Sequence, residues 1–206
     1  MKNKTGIAVS TTQVLAESAV MIALSIALFA VSEMIPWPWA YGGGFTIFGQ
    51  VPIIIISYRH GLKAGIPAAL VLAIFELIMG LKNFSYVTGV GAMLMVALFD
   101  YLIAYGVLGM GGMLKKAFEN RDTFAARQVP ALAIGSLIVC LLRFTCHFIS
   151  GVTVWSGYAP SSAIKAVILY SLTYNGAYML IETVITVIGA IAVGSLLDLG
   201  KRRISR

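Results

Sequence analysis

Residues Val14–Ile35 read VLAESAVMIALSIALFAVSEMI, an apolar stretch long enough to cross a bilayer as a helix. A second stretch, Val129–Ile149, reads VPALAIGSLIVCLLRFTCHFI and is also apolar on nearly every face. A transmembrane barrel strand alternates apolar and polar residues over about ten positions, so both stretches favour helices over a barrel. They predict an all-α integral membrane protein.

The composition of the whole chain agrees with this prediction. Of its 206 residues, 59% are apolar and 11% are charged, whereas a soluble domain has roughly 45–50% and about 25%. At about 20 residues for each crossing, the chain has room for roughly six transmembrane helices. We therefore expect one transmembrane domain over residues 1–206. Because the sequence contains no G-x-x-x-x-G-K-[ST] phosphate loop, any ATP hydrolysis must occur on another chain.

Six apolar segments are predicted to form these helices. The second segment is short, so we expect either a strongly shortened helix or one lengthened by the glycines that precede it. The predicted segments are Val14–Ile35, Thr46–Tyr58, Leu62–Met79, Val87–Met110, Val129–Ser150 and Ala163–Leu197.

Positive charge is distributed unequally over the connections between these segments. Of the 15 Lys and Arg residues, Lys82 and Lys165 lie on one side, Arg143 lies within a helix, and the others lie on the opposite side. Because cytoplasmic loops retain positive charge, both termini are predicted to be cytoplasmic. The net charge of +7 therefore indicates topology rather than nucleic-acid binding. The residues on the basic side are Lys2, Lys4, Arg59, Lys63, Lys115, Lys116, Arg121, Arg127, Lys201, Arg202, Arg203 and Arg206.

Ionisable side chains at membrane depth are costly and are therefore candidates for function. Asp100 lies about 20 Å into the fourth predicted helix. It must be protonated, pair with Arg143, or face a polar cavity that receives a cationic or hydrogen-bond-donating ligand. Glu182 either lines the same cavity or packs between helices. Glu76 is expected to reach the outer interface with its carboxylate.

Aromatic and polar residues are concentrated in the last third of the chain. His147 lies near the outer end of the fifth predicted helix, and Trp155 follows in a loop. Tyr170 and Asn175 lie near the start of the sixth helix. Any one of these aromatic residues also suits a lipid-interface belt. Together with Asp100, however, they suit a planar cationic molecule, because aromatic faces attract cations and a carboxylate accepts hydrogen bonds.

Several motifs of the chain resemble one family of membrane proteins. In order and approximate spacing they are similar to the thiamine-specific substrate-binding components, or S components, of energy-coupling factor transporters. The resemblance extends from the first helix to the last and implies a six-helix S-component bundle in a bacterial cell membrane. The motifs are YRHGLKAG (Tyr58–Gly65), the pair Asp100-Tyr101, HFISGVTVW (His147–Trp155), YAP (Tyr158–Pro160) and YSLTYNG (Tyr170–Gly176).

The resemblance also implies a ligand and the residues that contact it. The expected ligand is extracellular thiamine. An aromatic residue from the first outer loop is implied, with Trp39 as the candidate beside Trp37 and Tyr41, and Tyr86 or Phe84 is the candidate from the next outer loop. The main thiamine-contacting set implied by the resemblance is Asp100, Tyr101, His147, Trp155, Tyr170 and Asn175.

Partners follow from the same resemblance. Transport by an S component requires a transmembrane coupling component, or T component, and two cytoplasmic ATPases. Ala19 and Ala23 form a small-xxx-small pair that resembles the surface by which S components dock on the T component, although a contact within the same bundle is the alternative. No cofactor or metal is implied. Cys140 and Cys146 are six residues apart, which fits neither a C-x-x-C motif nor a disulfide framework.

Three other functions stay open at this point. An S component for a different vitamin is the nearest of them. An intramembrane hydrolase would use His147 with Asp100 or Glu182, but no G-x-S-x-G, paired Glu-Glu or H-E-x-x-H motif supports it. A passive channel or small secondary carrier is disfavoured, because the sequence has no internal repeat and its polar residues cluster on the outer side.

Overall fold

The computed structural model describes residues 10–39 and 43–200. All regular structure in these ranges is helical, which confirms the predicted all-α class. Several residues used in the sequence argument lie outside the described residues. They are Tyr41 and the terminal basic residues Lys2, Lys4, Lys201, Arg202, Arg203 and Arg206.

Six helical segments follow one another in the predicted order. A 3-10 helix over Gly80–Tyr86 continues the third segment, and another over Trp155–Tyr158 follows the fifth. Within the described ranges, every segment except the second is long and apolar enough to cross a membrane, so the chain is a multi-pass membrane protein. The segments are α1 (Thr11–Glu33), α2 (Val51–His60), α3 (Leu62–Met79), α4 (Val90–Phe118), α5 (Phe124–Thr153) and α6 (Ile164–Leu196).

The second helix is strongly shortened, as one of the two predicted alternatives requires. It has 10 residues, a rise of about 15 Å, and begins at Val51, later than predicted. Side chains of α1 bind the backbone just before it. The Ser25 hydroxyl donates to the Gly49 carbonyl, and the Ile47 N–H donates to the Ser32 hydroxyl at 2.9 Å. These bonds take the place of a helical turn, because backbone groups at membrane depth must be paired inside the protein.

The fourth helix changes its winding along its length. It begins as an α-helix over Val90–Met95 and continues as a π-helix over Val96–Leu102. In a π-helix the backbone hydrogen bond spans five residues, so residues five apart share a face. Val96 and Tyr101 are accordingly both buried, and Asp100 lies beside them within the π-helix.

The first helix packs against α2 and α3 through a narrow face. Its buried residues are Ser18, Ser25, Phe29 and Ser32. The serines recur at every seventh position, and small side chains let helix backbones approach closely. Ala19 and Ala23, the candidate docking pair, are exposed on the other side of α1. The alternative in which they contact their own bundle therefore receives no support from this packing.

At one end of the bundle, basic side chains connect several helices through ion pairs and hydrogen bonds. Glu17, near the start of α1, pairs with Arg59 Nε at 2.6 Å and with His60 Nε2 at 2.8 Å, both at the end of α2. Arg59 also donates to the carbonyl of Leu199, just after α6, at 3.3 Å. The Lys115 ammonium donates to the Arg59 carbonyl at 3.2 Å. The start of α1 and the end of α6 therefore lie at the same end of the bundle.

Close packing between α3 and α4 yields a prediction at Gly109. A Cβ atom at this position would lie 2.5 Å from the Ile66 Cα. Gly109→Ala should therefore destabilise the purified protein by roughly 1–3 kcal/mol, the usual cost of overpacking, and lower its Tm by several degrees. Gly106→Ala is the matched control, because its added Cβ would meet only the flexible Leu70 side chain at 3.4 Å. Equal Tm values for the two variants would contradict this account.

Candidate functional site

A cavity lies at the end of the bundle opposite the Glu17–Arg59 pair. Its empty volume is about 840 Å³ including open solvent at the mouth. The structure brings together residues from α4, α5, α6 and the loop after α5 that are far apart in the sequence. All members of the predicted main set line the cavity, namely Asp100, Tyr101, His147, Trp155, Tyr170 and Asn175.

The Asp100 carboxylate is held by side chains of α5 and the loop that follows it. One oxygen, Oδ1, lies 3.2 Å from His147 Nδ1. The other, Oδ2, accepts from the Ser150 hydroxyl at 2.7 Å and from the Trp155 indole N–H at 3.0 Å. Nothing in the sequence pattern singled out Ser150. Its hydroxyl fixes the direction in which the carboxylate points.

The alternative pairing of Asp100 with Arg143 is wrong for the described chain. Asp100 meets α5 one turn or more beyond Arg143, at the level of His147 and Ser150. The Arg143 guanidinium lies instead over the Tyr105 ring, 4.2 Å from its centroid, and Nη2 donates to the Tyr105 hydroxyl at 2.9 Å. The depth at which the two helices meet therefore decides the pairing, and sequence spacing does not reveal it.

Two residues that line the cavity have buried nitrogen atoms without a hydrogen-bond partner among the described residues. Arg143 is 3% exposed, and its Nε and Nη1 atoms have no hydrogen-bond partner among the described residues. The same is true of Nε2 of His147 within residues 10–39 and 43–200. Buried polar groups are nearly always hydrogen-bonded in folded proteins. The two Arg143 atoms can therefore donate to a bound molecule or to water, and His147 Nε2 can accept when Nδ1 carries the proton toward Asp100.

The two deep glutamates are both buried inside the bundle. Glu182 packs between helices rather than lining the cavity, which settles the choice that the sequence left open. The expectation that Glu76 reaches the outer interface is wrong, since it is only 7% exposed. Its neighbours inside the bundle include Arg143 and Tyr105. The Glu76 carboxylate stays inside the bundle near the Arg143 guanidinium, because opposite charges attract strongly in a poorly screened interior.

Aromatic rings form much of the cavity wall contributed by α6. Tyr170 and Tyr174 stack with their ring centroids 5.7 Å apart, and Tyr174 meets Tyr178 edge to face at 6.0 Å. The His147 ring also meets Tyr178 at 6.0 Å. Such a wall can stack on a flat heteroaromatic ligand and attract a cation.

Asn175 connects this wall to α5. Its side-chain N–H group donates to the His147 carbonyl at 3.2 Å, and its side-chain oxygen accepts from the Tyr178 hydroxyl at 2.7 Å. An ideal helix places Tyr170 and Asn175 about 140° apart, yet both line the cavity. The cavity therefore extends around α6, with Asn175 at its buried side.

The two outer-loop candidates lie beside the cavity, outside the lining formed by the described residues. Trp39 packs edge-on against Tyr178, with ring centroids 6.1 Å apart. Tyr86 is 47% exposed, and its carbonyl accepts from the Tyr158 hydroxyl at 2.8 Å. From the first outer loop, Phe45 lines the cavity instead.

Further lining residues were missed by sequence reasoning. The sequence offered a signal for two of them: Phe45 and Thr46 directly follow the glycine run, where a loop comes close to other chain segments. Asn83 donates to the Tyr101 hydroxyl at 2.9 Å, a contact that spacing does not predict. Phe29 and Glu33, at the outer end of α1, complete this side of the cavity. Their one-turn spacing shows only that they share a helix face.

Comparisons with known proteins match nearly the whole chain. Residues 15–197 match the model of the family described as "Thiamine transporter protein". The thiamine transporter ThiT of Bacillus subtilis strain 168 is 31% identical over 180 residues, covering 84% of this chain and 86% of that protein. The thiamine transporter ThiT of Lacticaseibacillus paracasei strain ATCC 334 is 29% identical over 187 residues, covering 89% and 86%.

A solved structure shares the same fold. The structure of ThiT from Listeria monocytogenes superposes with a TM-score of 0.65 at 22% identity, covering 88% of this chain and 92% of that chain. The match of the family model over most of the sequence confirms the family that the motifs resemble. This chain belongs to the thiamine transporter protein family.

Proposed function

We propose that this protein captures extracellular thiamine in its cavity and serves as the S component of an ATP-driven importer of the energy-coupling factor type. Membership of a transporter family makes the chain a transport protein rather than an enzyme, which removes the intramembrane hydrolase from the alternatives. One observation carries the choice of ligand: the Asp100 carboxylate stands in an aromatic-walled cavity of a thiamine transporter family member.

The chemistry of thiamine fits the groups that line the cavity. Thiamine joins an aminopyrimidine ring, which both donates and accepts hydrogen bonds, to a positively charged thiazolium ring. Asp100 supplies an acceptor carboxylate, and the rings of Trp155 and Tyr170 supply faces for stacking and for cation–π attraction. Glu33 adds a second carboxylate at the mouth of the cavity, where Lys82 Nζ lies 3.8 Å from it. Among the charged residues that line the cavity, two are carboxylates, Asp100 and Glu33, and one is a guanidinium, Arg143, and this balance favours a cation.

The distribution of basic residues supports an orientation for the bundle in a bacterial cytoplasmic membrane. Arg59, Lys63 and Lys115 lie at the end of the bundle opposite the cavity, and positively charged loops are retained in the cytoplasm. In this orientation both termini of the single domain are cytoplasmic. The mouth of the cavity then opens to the outside, where a nutrient is captured.

Partner proteins supply the energy in this proposal. The chain has no phosphate loop, so any ATP hydrolysis occurs on another chain. The resemblance to S components implies that a transmembrane T component and two cytoplasmic ATPases drive transport. The exposed pair Ala19 and Ala23 on α1 is the proposed docking face for the T component, because small side chains allow close approach of a partner helix.

Titration with thiamine tests the proposed function directly. The purified protein should show saturable quenching of tryptophan fluorescence at one site per chain, because Trp155 lines the cavity. Parallel titrations with biotin and riboflavin serve as controls and should give no saturable response. A response to either of them together with none to thiamine would favour an S component for a different vitamin.

The Asp100 carboxylate yields a second prediction. Asp100→Asn keeps the size of the side chain but removes its charge, and should weaken thiamine binding roughly ten- to hundredfold, since a hydrogen bond to a charged group contributes about 1.5–3 kcal/mol. Isothermal titration calorimetry measures the change. Asp122→Asn, an exposed change at the opposite end, is the control and should leave the affinity unaltered. A lower Tm with unaltered affinity in Asp100→Asn would make this residue structural.

The docking face yields a third prediction. Ala19→Trp combined with Ala23→Trp should abolish ATP-dependent thiamine uptake and co-purification of the T component, because two indoles hold a partner helix away. Thiamine binding by the isolated chain should stay nearly unchanged. Val20→Trp with Leu24→Trp, two neighbouring exposed positions, is the matched control and should preserve uptake. Uptake at the wild-type rate in the alanine variant would place the docking face elsewhere.

A further inference from the structure

Glu182 joins the first outer loop to the interior of the bundle. It lies on α6 with a side chain that is 0% exposed. Its Oε2 atom accepts from the Thr46 N–H at 2.6 Å, and its Oε1 atom accepts from the Thr46 hydroxyl at 2.8 Å. The Thr186 hydroxyl lies 3.4 Å from the same Oε1 atom. In all three contacts the carboxylate oxygens of Glu182 accept the hydrogen bond.

The same carboxylate lies beside the positive charge in the cavity wall. Glu182 Oε2 is 4.0 Å from Arg143 Nη1. Among the described residues, no other carboxylate lies within that distance of the guanidinium. Glu76 on α3 is a more distant neighbour of the guanidinium. Because Arg143 is buried, water screens its charge poorly. An uncompensated guanidinium in this wall would repel a cation in the cavity.

Resting on the proposed function, we propose that Glu182 is a specificity-determining residue that makes the cavity accept a cationic heteroaromatic ligand. It acts by cancelling the charge of Arg143 and not by touching the ligand. The two hydrogen bonds from Thr46 hold the carboxylate at the guanidinium and also hold Thr46 at the cavity wall. Selectivity for the positive ring of thiamine thus depends on a residue outside the cavity lining.

A pair of ligands that differ only in charge tests this role. Thiamine carries a thiazolium ring, and its neutral isostere carries a thiophene ring in which carbon replaces the quaternary nitrogen. In Glu182→Gln, which keeps the shape of the side chain, the Kd of thiamine should rise about tenfold, because a cation then faces a guanidinium that has lost its nearest compensating charge. The Kd of the neutral isostere should change less than about threefold. Equal changes for both ligands, or no change for either, would overturn the proposal.

A second substitution guards against a folding defect. Adding Arg143→Gln to Glu182→Gln removes both charges, so the ratio of the two Kd values should return to within about threefold of wild type. A purely structural role of Glu182 would not be rescued in this way. If Glu182→Gln alone does not fold, Arg143→Gln alone tests the proposal. Because this variant removes the positive charge, the ratio of the two Kd values should shift at least about threefold in favour of thiamine. An unshifted ratio in that variant overturns the proposal.

A control separates the effect of the Glu182 charge from the effect of its hydrogen bonds to the loop. Thr46→Val removes one hydrogen bond to Glu182 and leaves both charges in place, so the ratio of the two Kd values should stay at the wild-type value. A shift as large as that of Glu182→Gln would show that loop position sets the selectivity. Wild-type protein that does not bind thiamine would overturn the proposed function together with this inference. Wild-type binding with an unshifted ratio in Glu182→Gln overturns the inference alone.

Discussion

A guanidinium buried at membrane depth has to be compensated by neighbouring groups, and the inner part of this structure is arranged around that requirement. Arg143 on α5 meets the Tyr105 ring and hydroxyl from α4 and the Glu182 carboxylate from α6, and it has Glu76 of α3 as a further neighbour. Four helices thus converge on one charge. Their convergence forms the floor of the cavity and leaves Asp100 to meet α5 nearer the mouth.

A second constraint, the pairing of backbone groups, explains why a loop forms part of the wall. The segment before α2 is not helical, and side chains of other helices pair several of its N–H and carbonyl groups. Ser25 and Ser32 bind it from α1, and Glu182 binds it from α6. The segment is thereby fixed from two sides at membrane depth. A loop held in this way contributes Phe45 to the cavity wall.

Hydropathy predicted the helices well, because burial in lipid acts on whole segments. The fifth helix, for instance, was predicted over Val129–Ser150 and extends over Phe124–Thr153. The identity of the main cavity residues followed from motifs that resemble a family. Side-chain partners were harder to predict, since they depend on helix rotation and depth. Asp100 lies in a π-helix, which no local pattern predicts, and Trp39 packs against Tyr178 instead of lining the cavity.

The two faces of α1 have a consequence for energy transfer. Phe29 and Glu33 border the cavity, while Ala19 and Ala23 are exposed about two to four turns away on the same helix. A partner that docks on the alanines and shifts α1 also shifts the cavity wall. Thermodynamic linkage then makes the effect reciprocal: whatever factor docking imposes on ligand affinity, the ligand imposes on docking. A helix with small residues on both sides can therefore make the affinity for a docked partner depend on whether the cavity is occupied.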